Sequence, residues 1–145
     1  MKNILKIAAT LSLLSGAAVA DPVLGVWKTT PDDNGNFGHI KVAECEGEIC
    51  GTLIKSFDST GASYESENIG KQIIWAMKNK GDGKYGGGKI WSPDRDKVYN
   101  SKMVLEGNDQ LKISGCVLIL CRDGGTWTRI DSVSYTHLRA HETRT

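Results

Sequence analysis

The sequence predicts an all-β protein, a small eight-stranded antiparallel up-and-down barrel, and three observations lead there. Apolar and polar residues alternate with period two through most of the chain, the signature of half-buried strands. Clusters of Gly, Asp and Asn punctuate that alternation at short, regular intervals. No stretch has convincing helical periodicity, so no crossover helix is available and consecutive strands must run antiparallel. Eight such strands either close into a barrel, which removes the exposed edges, or pack as a β-sandwich. The even strand spacing favours the barrel.

Strands are expected at Leu24–Thr30, Gly38–Cys45, Ile49–Phe57, Gln72–Lys78, Gly87–Trp91, Lys97–Glu106, Gln110–Val117 and Thr126–Asp131. Turns fall between them at Asp32–Asn36, Glu46–Glu48, Gly81–Gly83, Ser92–Asp94 and Gly107–Asp109, where Gly and Asn tolerate left-handed backbone. The polar stretch Ser59–Gly70 is long enough for a loop or a single helical turn.

The 145-residue chain carries 18 basic and 17 acidic side chains. That balance excludes a basic nucleic-acid surface, a polybasic membrane patch and a highly charged disordered chain. Residues 1–20 have a basic start at Lys2 and Lys6, an apolar run from Ile7 to Leu14 and a small-residue close, Ala18-Val19-Ala20. This reads as a secretory signal peptide, too short in its apolar run to span a bilayer. Residues 132–145 have neither lasting period nor capping logic and read as a non-native, unstructured tail, which removes His137 and His141 from consideration. The domain is then 21–131, with 14 basic against 16 acidic residues. A chain of that length supports one core, and the leader puts it in the periplasm or outside the cell.

Four cysteines in an exported chain favour disulfides over metal or redox chemistry. Ile40-Lys41-Val42-Ala43-Glu44-Cys45 lines up with Leu111-Lys112-Ile113-Ser114-Gly115-Cys116, and each copy has a second Cys after four residues, Cys50 and Cys121. The repeat suggests one object built twice, a hairpin whose four-residue loop places its flanking cysteines opposite each other. Val117-Leu118-Ile119-Leu120 argues otherwise, because it contains no turn-forming residue. If it stayed extended, Cys116 and Cys121 would point to opposite faces about 17 Å apart. Local pairing leads, with cross-pairing between the copies and free thiols open.

Gly25-Val26-Trp27 on the first strand and Thr126-Trp127-Thr128-Arg129 on the last resemble the lipocalin and calycin barrels, in which such an Arg packs across the Trp where the barrel closes. The wider set is similar to the DUF2147 family of bacterial exported proteins: Asp21 to Trp27, Cys45-Glu46-Gly47-Glu48-Ile49-Cys50-Gly51, Gly88 to Pro93, Lys97-Val98-Tyr99, and Gly115-Cys116-Val117 through Cys121-Arg122 to Arg129. The resemblance implies a small lipocalin-like barrel in the bacterial envelope, with Trp27 and Arg129 as structural residues. It supplies no activity and no catalytic residues.

In a barrel alternate residues face inward, and the apolar ones are Ile40, Val42, Leu53, Ile73, Trp75, Met77, Ile90, Met103, Leu105, Leu111 and Ile113. They either fill the interior or line a pocket for a small hydrophobic ligand, the function favoured by barrel geometry and the resemblance. The alternative is a ligand-free envelope module acting through protein contact, for which Val117–Leu120 is the candidate patch. An enzyme is not expected: His39 is the one imidazole of the domain, and no acid–base set converges. The acidic turn Asp32–Asn36 offers oxygen ligands but lacks the spacing of a calcium loop. The glycine clusters at 81–83 and 86–88 precede no helix that could cradle phosphate. No metal, cofactor, nucleic acid or membrane span is expected, and no protein partner is identifiable. Amino-terminal sequencing of the exported protein should begin at Asp21; a first residue elsewhere would overturn the cleavage assignment.

Overall fold

The computed structural model describes residues 19–130. Positions 1–18 of the expected leader, and the expected tail, lie outside the described residues. The strands are β1 (Gly25–Lys28), β2 (Phe37–Cys45), β3 (Glu48–Phe57), β4 (Ser63–Tyr64), β5 (Gln72–Gly81), β6 (Lys84–Ser92), β7 (Lys97–Glu106), β8 (Gln110–Val117) and β9 (Leu120–Arg129). Their hydrogen-bonded order is β2-β1-β9-β8-β7-β6-β5-β3, and β2 also pairs with β3. Every pairing is antiparallel, so the eight strands other than β4 close into the expected up-and-down barrel rather than a sandwich. The polar stretch after β3 is the loop alternative of the expectation, interrupted by the two-residue strand β4. Its Asp58 carboxylate accepts the Thr60 and Ala62 N–H groups, turning the chain so that β4 pairs with Ser56 and Phe57.

Antiparallel order sorts the connections between two ends. Segments 29–36, 58–71, 93–96 and 118–119 lie at one end, and turns 46–47, 82–83 and 107–109 lie at the other with the chain entering β1. Among the described residues no helix is long and apolar enough to cross a membrane.

Both disulfides are local, Cys45–Cys50 and Cys116–Cys121. The expectation of one object built twice is corrected. Neither hairpin has a four-residue loop: Cys45 pairs in register with Glu48 around Glu46-Gly47, and Val117 pairs with Leu120 around Leu118-Ile119. Cys116 stands directly opposite Cys121, whereas Cys50 stands opposite Ala43, so the first bridge is diagonal, with Cα atoms 5.9 Å apart. The two staples also sit at opposite ends of the barrel. The second hairpin turns without turn residues because Leu118 takes a φ of +55°, a conformation nothing in its side chain announces. This makes β9 six residues longer at its start than expected.

Closure of the barrel rests on a narrow seam. β1 meets β9 through only two paired positions, Trp27 with Arg129 and Lys28 with Thr128. The Arg129 guanidinium reinforces it, lying 4.3 Å from the centroid of the Trp27 ring. Its Nη1 donates to the Leu24 carbonyl at 2.8 Å, Nη2 to the Pro22 carbonyl and Nε to the Asn108 carbonyl. Trp27 is fully buried, and its indole N–H donates to the Val23 carbonyl at 2.9 Å. Gly25 makes room for this arrangement: its φ is +134°, and a Cβ there would lie 2.8 Å from Arg129 Nη1. Replacing Arg129 by Ala should cost about 2–4 kcal/mol, the sum of a cation–π contact and lost charge-assisted hydrogen bonds. Arg129→Lys should recover less than half of that, since an ammonium cannot reach three divergent carbonyls. Urea unfolding of both variants checks this; full recovery by Lys would contradict it.

Candidate ligand-binding interior

The interior is graded from a solid base to a looser mouth. At the base the Asp21 carboxylate accepts the Val23 N–H (3.0 Å), the Tyr85 hydroxyl (2.5 Å) and the Asn79 side-chain amide (3.0 Å). These bonds tie the segment before β1 across the barrel end and press Val23 into the core, where it is fully buried. Tyr85 is itself buried, and burial, then the Asp21 carboxylate, raise its phenol pKa well above 10.0. Above this plug Trp27, Met77, Met103 and Leu111 leave essentially no exposed surface. Gly88 permits that density, because a Cβ there would lie 2.7 Å from Met77 Sδ. The base is filled core.

Toward the other end the packing loosens on one side. Ile74, Ile90 and Tyr99 stand in one cross-strand row, and Ser101, Gly115 and Arg122 in another. Directly opposed residues share a face. Ile74 and Gly51 identify that face as the interior, since a Cβ on Gly51 would meet Ile40, Val42 and Ile74. Tyr99 faces the same space, 3.6 Å from where a Gly115 Cβ would sit. Ile74 and Ser101 are buried, with the Ser101 hydroxyl donating to the Ser114 carbonyl at 2.8 Å. Ile90, Tyr99 and Gly115 are only half-buried, and Arg122 at the rim is exposed. The Arg95 guanidinium, from the connection above, lies beside the Tyr99 phenol.

Of the side chains predicted to face inward, Ile40, Val42, Leu53, Ile73, Met77, Met103, Leu111 and Ile113 are buried in one apolar cluster. Ile90 and Leu105 are half-buried against it. Trp75 requires correction: the inward place on β5 belongs to Ile74, and Trp75 is paired with the exposed Lys89. The reason is a bulge. Ala76 has a φ of +57°, and the register with β3 slips between Ile74 and Met77, so strict alternation along β5 picks the wrong residue. Sequence reasoning also left Val23, Ile49, Tyr85 and Trp127 out of the interior, although all belong to the cluster.

A closed eight-stranded antiparallel barrel with an arginine across the opening tryptophan is a lipocalin-like fold. A solved structure described as "Protein HP1028 from the human pathogen Helicobacter pylori belongs to the lipocalin family" superposes with a TM-score of 0.64, covering 80% of this chain and 88% of that one at 15% identity. At that identity the likeness concerns the fold. The chain belongs to the family described as "Uncharacterized protein conserved in bacteria (DUF2147)", which matches residues 25–129. No curated protein matches it.

Other candidate residues have structural settings. In the acidic turn the Asp32 carboxylate accepts the Asn34 and Asn36 N–H groups, each at 2.9 Å, which makes it the organiser of its own loop. Among the described residues no three His, Cys, Asp or Glu side chains gather as a metal site. His39 lies on the outer wall, in register with Lys28 on β1 and Lys55 on β3, and its ring tilts against Phe57 at 4.5 Å. Burial, then the Lys55 and Lys28 ammoniums, hold its pKa below the ordinary 6.5. An unfolded chain therefore takes up this proton before the folded one does, so stability falls as pH drops below 6.5. Proton NMR should place the His39 midpoint below that value, and His39→Gln should flatten the loss of urea resistance in mildly acid solution. A midpoint above 6.5 would contradict the geometry.

Proposed function

We propose that this protein is an exported, disulfide-stapled envelope barrel that holds a small hydrophobic molecule in the mouth half of its interior, acting by binding rather than catalysis. The carrying observation is the gradient of packing: the base is plugged and solid, while Ile90 and Tyr99 face the interior yet are only half-buried. Apolar walls with a few polar groups at the entrance suit an apolar molecule. Arg122, on the same face at the rim, suits an anionic end on that molecule. The apolar set Ile40, Val42, Leu53, Ile73, Met77, Met103, Leu105, Leu111 and Ile113 serves mainly as floor and wall in this reading, with Ile90 and Ile74 nearest the occupant. Two disulfides and a leader-like amino terminus support the envelope as the site of action.

The alternative, a ligand-free module acting through protein contact, draws on the exposed apolar residues Val117–Leu120. Native mass spectrometry of protein extracted from its own envelope separates the two. A bound mass is expected, together with saturable binding of the fluorescent anion 1-anilinonaphthalene-8-sulfonate. Gly115→Leu should weaken that binding at least tenfold while leaving the melting temperature near that of the parent, because a Cβ at 115 makes only ordinary contact, 3.6 Å from Tyr99. Protein that is always empty and ignores the probe would overturn the proposal.

A further inference from the structure

The turn between β8 and β9 exposes four consecutive aliphatic residues: Val117 at 60%, Leu118 at 87%, Ile119 at 94% and Leu120 at 75% of their full accessibility. Nothing about folding requires this, since a two-residue hairpin turn accepts Asn, Asp and Gly far more readily. We infer that this tip is a membrane-docking element, which seats the mouth end of the barrel on a lipid bilayer surface.

Three features favour lipid over a protein surface. The tip is convex and small: its four side chains offer roughly 500 Å², short of the roughly 800 Å² per partner that a stable protein interface buries. Its backbone is already paired, Val117 with Leu120 and Cys116 with Cys121, so it can leave water without orphaning a row of peptide groups. The Cys116–Cys121 bridge holds the tip in one shape before it docks, which lowers the ordering cost of insertion.

The surrounding charges fit the headgroup layer. A shallow groove beneath the tip is lined by Val117 and Leu118 together with Lys89, Lys97, the half-exposed Val98 and Asp96. Asp96 is engaged by the Trp91 indole N–H at 3.1 Å. Arg122 lies two residues beyond the tip and is exposed. Lys89, Lys97 and Arg122 surround the apolar point with Asp96 and Asp123 between them, so the cations can meet lipid phosphates while the aliphatic groups enter the acyl boundary. The tip shares its end of the barrel with segments 29–36, 58–71 and 93–96, so docking brings the mouth to the bilayer. The inference stands whether or not the barrel carries a ligand.

The test is co-sedimentation of the protein, recovered from an expressing cell, with vesicles of phosphatidylethanolamine and phosphatidylglycerol in a 3:1 ratio, probe conditions of roughly the kind used for peripheral binding. The parent should partition onto vesicles. Leu118→Ser/Ile119→Ser, with the same amino terminus, should lose at least tenfold of that binding with an unchanged melting temperature, the altered side chains being solvent-exposed. Lys97→Gln/Arg122→Gln should bind more weakly at low salt and resemble the parent in concentrated salt. Failure of the parent to bind, or equal binding by the serine variant, overturns the inference. So does a dimer in analytical ultracentrifugation that the serine variant abolishes while vesicles remain bare, which would put a second copy on the tip.

Discussion

The barrel is one closed object because of what happens at a seam two residue pairs wide. Neighbours such as β2 and β3, β6 and β7, or β7 and β8 share long ladders, but β1 is short and its contact with β9 would be weak as backbone alone. Arg129 changes the balance by acting on three places at once. It covers the indole that forms the base of the core, and it collects carbonyls from Pro22 and Leu24 before β1 and from Asn108 in the turn between β7 and β8. A guanidinium suits the task because its donors diverge in a plane that can also lie flat on a ring. The glycine at position 25 suits this arrangement, since a Cβ there would crowd Nη1 at 2.8 Å.

The same closure organises the gradient of packing. Trp27 carries the entering segment against Tyr85, Met77 and Leu111, so the densest part of the core lies directly above the plug. Away from it interior positions pass to smaller or half-buried groups, including Ser101 and Gly115. A small barrel has little volume to share between its own side chains and an occupant. Here the fully buried side chains gather toward the plugged end, and half-buried interior positions lie toward the other. The apolar tip between β8 and β9 lies at that other end, clear of the residues that hold the fold together.

Much of this architecture was legible in the sequence, for identifiable reasons. Period-two alternation marks strands whenever one face is buried, and β7 and β8 run over Lys97–Glu106 and Gln110–Val117 as the pattern indicates. The opening Trp and late Arg could be matched by resemblance because both are rare types at defined ends of the domain. The features that could not be read have a common physical cause. Ala76 and Leu118 take left-handed backbone without being Gly, Asn or Asp, and each alters its own strand: one exchanges Trp75 for Ile74, the other starts β9 early. The diagonal run of the first disulfide depends on hairpin register, which cysteine spacing does not encode. The looseness around Ile90 and Tyr99 is a property of assembled volume, and no local pattern carries it.

The plug at the base has a consequence for the start of the domain. Asp21, whose carboxylate joins Val23, Asn79 and Tyr85, stands directly after the small-residue close of the leader-like segment. A chain lacking Asp21 would lose the clasp, and the Tyr85 hydroxyl would lose its carboxylate acceptor. The closed fold therefore needs residue 21 in place, so any cut in the segment before it must spare that carboxylate.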